Sequence, residues 1–461
     1  MSTLATPSVP WRPISGPQRT VALDALRGFA LLGVLAANTL CFAYPQMSAP
    51  AGLEAMRGTG VADRAALVLV ALLVEGRFYS LLSVLFGIGL ALQADRALAA
   101  GRPFALFYLR RSAILLAIGA LHGVLLYSAD ILAFYAIVAV VALAFRRLPA
   151  RGLARAAGAC GVLAIVVLTM YAWMHPTRPF PQPPDWNRLA AAQRGREAQP
   201  GATQALDPRT ADFIARNAAA VLAALDVPPP ALVRTMADES RIYRDGSWLE
   251  ITRHRAIAAL LFATPSKVAF LGLYVLTCFL LGMSLARRGW FVEMRDADLS
   301  RYRRLLLAGV PLGLCLVIGG SVLQAVAARA PAAAAGYWSG VLAGTLLQGL
   351  GYGGGVVLLC ARRPGSLVVR GLAAVGRTAL SNYLFQSVVL GTIFYSTGLG
   401  LFTRLTALPV IALAIPVFTL EAWVSLAWLR RFEMGPIEWA WRSLAYARRL
   451  PLSKPQRALA S

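Results

Sequence analysis

The apolar residues of this chain do not alternate with polar ones at the period of a strand or of a half-buried helix. They arrive in near-continuous blocks of about 20 residues, the length needed to cross a hydrocarbon core. The clearest is Arg110–Arg147, RRSAILLAIGALHGVLLYSADILAFYAIVAVVALAFRR, which reads as a membrane hairpin: basic end, apolar run, polar break at Ser128 and Asp130, apolar run, basic end. It supplies spans three and four. Spans one and two are Val21–Phe42 and Ala65–Leu92, and span five is Leu153–Trp173. Spans six to ten are Pro265–Ala286, Leu305–Ala327, Tyr337–Cys360, Ala379–Leu399 and Leu405–Leu429. Span two is interrupted by Glu75, Gly76 and Arg77, so it is either one tilted helix or a short amphipathic helix feeding a span.

The pattern therefore predicts an all-α, polytopic integral membrane bundle of about ten transmembrane helices. A loop subdomain stands outside the membrane between spans five and six. The chain divides into a disordered tail (1–18), an N-terminal membrane half (19–174), an external segment (175–255), a C-terminal membrane half (256–430) and a basic tail (431–461). The external segment begins with a proline-rich stretch, is richer in acidic residues, and is expected to hold short helices such as Thr210–Leu225.

Composition agrees. At 58% hydrophobic and 14% charged residues over 461, the chain is too apolar for a soluble globule. A net charge of +24 would suit nucleic acid, but the arginines cluster at alternate ends of the apolar blocks. That is the positive-inside pattern, so anionic lipid headgroups, and not nucleic acid, are the expected counter-charge. It predicts a bacterial inner membrane protein with both termini cytoplasmic. The five cysteines lie in or beside apolar blocks without a CxxC pair, and read as small hydrophobes with no disulfide framework. No HxxxH or HExxH pattern marks a metal site. The GLGYGGG run in span eight lacks the context of a nucleotide loop and reads as a close helix contact.

Ionisable residues at membrane depth are costly, which makes them site candidates. His122 lies near the end of span three and is one of three histidines. Its neutral ring can act as a general base or carry an acyl group; the bland alternative is a packing hydrogen bond. Asp130, eight residues on, reads equally as a helix cap or as the group that orients His122. On a continuous helix the two would stand about 12 Å apart, so contact requires the chain to turn. Asp24 and Arg27, at i, i+3, either fix the start of span one or place Arg27 on a donor phosphate or carboxylate. Glu75 and Arg77 either line an acceptor pocket or mark a membrane boundary. Asn382 and Gln386, at i, i+4, read as interhelical hydrogen bonders beside Arg377. Glu438 and Arg442 read as a surface ion pair, and His175 and His254 close the two ends of the external segment.

Several stretches resemble a known family. RTVALDALRGFALLGVLAANTL, EGRFYSLLSVLFGIGLALQ, GALHGVLLYSADILAFYAI, GRTALSNYLFQSVVLGTIFYSTGLGLF and LRRFEMGPIEWAWRSLAY occur in that order. They resemble the YeiB-like bacterial membrane proteins, a domain family named for its unknown function. The LDALRG opening is also similar to the transmembrane acyltransferase group, including acyltransferase family three and heparan-α-glucosaminide N-acetyltransferase. That resemblance implies transfer from a cytoplasmic acyl-CoA-type donor to a membrane-associated or external acceptor, with a membrane histidine at the centre. Asn38 stands near where acyltransferase family three would have a histidine, which leaves His122 in that role, Asp130 orienting it, and Arg27 and Arg377 holding the donor. No bound cofactor is implied. The partners expected are membrane lipids and a small-molecule or lipid-linked substrate; no protein partner is indicated. Two other classes fit the same pattern: a transporter or exporter of a small or amphipathic solute, and a non-catalytic membrane partner protein.

Overall fold

The computed structural model describes residues 21–46, 60–174, 229–262, 265–291, 299–326 and 331–454. The expected tail 1–18, the helix Thr210–Leu225 and His175 lie outside these residues. Among the described residues, regular structure is helical apart from one isolated bridge between Phe432 and Ser453.

The first half contains α1 (Val21–Ala43), α2 (Val61–Leu73), α3 (Arg77–Ala99), α4 (Ala105–Leu125), α5 (Leu132–Leu143) and α6 (Ala150–Met174). Three short helices follow: α7 (Pro229–Ala237), α8 (Glu239–Asp245) and α9 (Trp248–Phe262). The second half contains α10 (Pro265–Arg287), α11 (Leu299–Val326), α12 (Pro331–Arg362), α13 (Leu367–Arg377), α14 (Ala379–Phe394), α15 (Ala407–Ala412), α16 (Ala414–Arg431) and α17 (Pro436–Ala445). Among the described residues, eight helical runs are long and apolar enough to cross a bilayer: α1, α2 with α3, α4, α6, α10, α11, α12, and α15 with α16.

The fourth and ninth expected spans are apolar but shorter, at 12 residues for α5 and 16 for α14. The reasons are local. Residues 126–131 leave the helix to make the turn that carries Asp130, which shortens α5. α14 starts after a break at Thr378 and stops where Tyr395 turns extended (φ −88°, ψ 159°). Large apolar side chains such as Leu69, Leu121, Val162, Leu307 and Trp423 stay exposed on the bundle, as expected of lipid-facing surface.

Two features shape the interior. α1 and α13 touch backbone to backbone: a Cβ on Gly376 would lie 1.7 Å from the Asp24 carbonyl oxygen, and one on Gly28 would lie 2.0 Å from that of Leu372. Arg27 and Arg377 are the chain neighbours of these two glycines. The second feature is the break between α2 and α3, where Gly76 takes φ +78°. Freed carbonyls inside a membrane must find donors. Arg77 Nη1 donates to Ala71 O at 2.8 Å and also to Glu75 O. Gln348 Nε2 donates to Leu72 O at 3.2 Å, and the Tyr352 hydroxyl to Leu73 O at 3.1 Å. Span two is thus two helices, and Arg77, 2% exposed, is buried against the break and holds its freed carbonyls. In span eight, a Cβ on Gly349 would lie 2.6 Å from Arg77 O, which is the close contact expected of the GLGYGGG run.

Candidate functional site

His122 lies three residues before the end of α4, and the chain turns back so that Asp130 faces it. Asp130 Oδ1 is 2.7 Å from His122 Nδ1. The other carboxylate oxygen accepts from the backbone N–H of Ala133 at 2.8 Å, in the first turn of α5. Asp130 therefore both caps α5 and holds the imidazole. On the far side of the ring, His122 Nε2 is 2.8 Å from the Ser387 hydroxyl on α14. With its proton on Nδ1, the neutral ring donates to Asp130 and accepts from Ser387. The side chains of His122 and Asp130 are 0% and 4% exposed, and Ser387 is 2% exposed. A buried Ser–His–Asp line results, joining the α4–α5 hairpin to α14, which is far from it in sequence.

Tyr383 lies one turn before Ser387, with its ring 5.0 Å from that of His122. Tyr383 and Ile131 line two cavities, as does Leu82. The larger, about 280 Å³, takes Arg27, Arg96, Arg111, Arg377 and Arg442 against the carboxylates of Asp24 and Glu438. Leu82, Phe86, Leu115 and Leu132 give it apolar lining as well. The smaller, about 120 Å³, is lined by Asn38, Tyr79, Tyr127, Val74 and Gly76, and so borders the α2–α3 break. His122, Asp130 and Ser387 line neither cavity; they lie behind Tyr383 and Ile131.

The remaining sequence candidates separate into groups. Arg27 Nη1 donates to Asp24 Oδ1 at 2.9 Å, and Arg377 Nε donates to Glu433 O at 2.8 Å, both at the arginine-rich cavity. Asn38 accepts a long hydrogen bond, 3.4 Å, from the Tyr127 hydroxyl. Glu75 is exposed at the helix break. Asn382 and Gln386 face α16: Asn382 Nδ2 donates to Thr378 Oγ1 and Ser425 Oγ, each at 2.9 Å, and Gln386 Nε2 to Glu421 Oε2 at 3.0 Å.

Two of these buried polar residues, Ser387 and Glu421, are not among the sequence candidates, and a third, Glu438, stands elsewhere than expected. Ser387 carries no local signal, since a serine one turn after a tyrosine is ordinary helix sequence. Glu421, fully buried, had one: it is the lone acidic residue in span ten. Glu438 was misplaced. It does not form a surface ion pair but is 5% exposed and caps α14, accepting from Leu380 N at 2.5 Å, Ser381 N at 3.1 Å and Ser381 Oγ at 2.6 Å. An i, i+4 spacing says nothing about what a third helix brings to the carboxylate.

His254 is buried, with Nδ1 3.3 Å from the Tyr243 hydroxyl. Burial, with the neighbouring charge of Arg255 second, pushes its pKa down to about 3. Among the described residues no group of three or more His, Cys, Asp or Glu is placed to hold a metal ion, and the five cysteines are free.

A bundle of span-length helices with polar groups sealed inside defines a multi-pass membrane protein. Residues 285–448 match the family model described as "Protein of unknown function (DUF418)". Along almost its whole length the chain is similar to the "Uncharacterized protein YxaH" of Bacillus subtilis (strain 168), at 28% identity over 95% of this chain and 96% of the relative. It is also similar to the "Uncharacterized protein YeiB" of Escherichia coli (strain K12), at 26% identity over 93% and 96%. A third relative is the "Uncharacterized 39.9 kDa protein in amylase 3'region" of Bacillus acidopullulyticus, at 24% over 95% and 97%. The chain is thus YeiB- and YxaH-like, a multi-pass bacterial membrane protein. The resemblance to acyltransferase family three has no counterpart among these matches. No solved structure matches.

Proposed function

We propose that this protein is an integral membrane acyltransferase. The observation that carries the reading is the position of His122 between Asp130 and Ser387. A buried carboxylate on Nδ1 fixes the tautomer in which Nε2 is a base, and a hydroxyl lies within reach of that base. Ser387 Oγ attacks the acyl carbonyl while its proton passes to His122 Nε2. The carbon–sulfur bond of a thioester donor breaks, and the imidazolium returns that proton to the departing thiolate. An acceptor hydroxyl or amine then attacks the Ser387 ester, giving its proton to His122, which passes it to the released Ser387 oxygen. Tyr383 swings aside to admit both partners.

The arginine-rich cavity is the donor site in this reading. Five arginines against two carboxylates suit a multiply anionic head such as that of an acyl-CoA, and the apolar lining suits its acyl end. In this reading the arginine-rich cavity opens to the cytoplasm, a side supported by the clustering of arginines at alternate ends of the apolar blocks, and the smaller cavity receives the acceptor from the membrane or the outside. Calorimetric titration of acetyl-CoA and CoA into the purified protein tests the donor site. Saturable binding that Arg27→Ala or Arg377→Ala weakens by tenfold or more supports it; no binding to folded, monodisperse protein refutes it.

A transporter is the second reading, favoured by one observation: the helix break at Val74–Gly76 borders a cavity that shares Leu82, Ile131 and Tyr383 as lining with the larger one. Broken helices that line such cavities are a transporter device. Solute flux in proteoliposomes that survives Ser387→Ala would favour it.

A further inference from the structure

We infer that Arg255 is a positioning residue that sets the approach of His122 to Ser387 by holding the C-terminal ends of both helices that carry them. The inference rests on the acyl-transfer reading of those residues. Arg255 belongs to α9, outside the span-length helices, yet is 4% exposed. Its Nη1 donates at 2.5 Å to the carbonyl of Leu125, the last residue of α4. Its guanidinium carbon stands 4.8 Å from the ring centroid of Tyr395, the C-cap residue of α14. One cation therefore meets the end of the helix bearing His122 and the end of the helix bearing Ser387.

The physical reasons are general. The last carbonyls of a helix lack partners within the helix, and its C-terminus carries partial negative charge. The last carbonyls of α14 are already taken by the N–H groups of Tyr395, Leu399, Leu401 and Phe402, so the guanidinium donates in its plane to Leu125 O on α4 and stacks through its face on Tyr395 at α14, a combination an ammonium cannot make. The surroundings fix Arg255 in turn. The Tyr243 and Tyr395 rings are 4.6 Å apart, and Ser396 N donates to Tyr243 O at 2.9 Å, tying α8 to the exit of α14. The other end of α14 carries the opposite charge, Glu438, on its first N–H groups. α14 is thus held by a carboxylate at its positive end and a guanidinium at its negative end. Only the guanidinium also grips α4.

Without Arg255, the end of α4 loses its polar tie to the end of α14 and keeps only the apolar one, in which Phe42 stacks between Tyr127 and Tyr395. His122 keeps Asp130, which lies in its own hairpin, but the 2.8 Å contact with Ser387 bridges two separately held helices and is the one that loosens.

The test uses full-length protein labelled with [15N]histidine in nanodiscs. Three histidines make three sets of signals, which His122→Gln and His254→Gln assign. The wild type should show a far-downfield Nδ1 proton for His122, abolished by Asp130→Asn, and an Nε2 nitrogen shifted by the Ser387 donor. Arg255→Met should move the Nε2 signal to the position seen in Ser387→Ala, with Arg255→Lys between. Arg241→Met, at an exposed arginine of the same segment, should leave it in place. A folded Arg255→Met with the wild-type Nε2 signal overturns the inference alone. Absence of the downfield Nδ1 proton and of the Ser387 shift in the wild type overturns the acyl-transfer reading and the inference together. Where Arg255→Met does not fold, Tyr395→Leu, which keeps the bond to Leu125 O, replaces it. A wild-type Nε2 signal in that variant then overturns the inference.

Discussion

The hydroxyl of Ser387 lies 2.8 Å from Nε2 of His122, across 265 residues of chain. It is the one contact that turns a buried His–Asp pair into a line able to activate a nucleophile, and it depends on α4, α5 and α14 all being correctly seated.

Asp130 serves two partners, so its variants should separate the two roles. Asp130→Asn keeps an oxygen for Ala133 N and should cost about 1–3 kcal/mol of stability, as one charged hydrogen bond is lost. Transfer activity should fall far more, by up to about 10⁴-fold, because an amide does not hold the tautomer in which Nε2 is a base. Asp130→Ala should add about 1 kcal/mol for the lost cap. Thermal unfolding in detergent beside a CoA-release assay reads both; equal stability losses for Asn and Ala would contradict the cap.

Glu438 holds three donors at the start of α14. Glu438→Gln keeps the shape but removes the charge from the helix's positive end, and should cost about 1–2 kcal/mol. Glu438→Ala should cost more, since the Leu380 and Ser381 N–H groups are then buried without that acceptor. The midpoint of thermal unfolding checks this. A change no larger than that of an exposed variant such as Glu250→Ala would contradict it.

Gly376→Ala and Gly28→Ala should each force α1 and α13 apart, because the added carbon meets a carbonyl oxygen that has no flexible side chain to yield. Overpacking of this kind costs about 1–3 kcal/mol or more. Donor binding should weaken alongside stability, since Arg27 and Arg377 move with the two helices. Gly158→Ala, where nothing lies within 4 Å, is the control expected to leave donor binding unchanged and to leave stability unchanged or raise it by up to about 1 kcal/mol, the helix propensity gain of alanine.

His254 gives the segment over α4 and α14 an acid limit. Its pKa in the folded protein, about 3, lies below its unfolded value of about 6.5. The unfolded chain therefore gains a proton first as pH falls. The stability His254 contributes is complete above about pH 6.5 and declines from there towards about pH 3, at up to about 1.4 kcal/mol per pH unit. Unfolding midpoints between pH 7 and pH 5 should fall more steeply for the wild type than for His254→Gln; parallel slopes would contradict this.

Much of the fold was legible because hydropathy acts at every residue of a span. Ten apolar blocks correspond to the eight span-length runs together with the shorter α5 and α14. What hydropathy did not show was length lost to turns, as at residues 126–131, or an arginine such as Arg77 that is buried against a helix break. In the site, the Asp130–His122 relation was readable as two alternatives, cap or orienter, and the structure uses both because a carboxylate has two oxygens. Ser387, Glu438 and Arg255 were not readable in these roles. Each takes its role from a helix distant in sequence, and one sequence carries no record of such pairings.

The most direct measurement is covalent labelling by [14C]acetyl-CoA. The account predicts an alkali-labile label on Ser387 in the absence of acceptor, lost in Ser387→Ala and His122→Ala while both variants still bind CoA. Acyl transfer from acetyl-CoA at the wild-type rate in Ser387→Ala would contradict it.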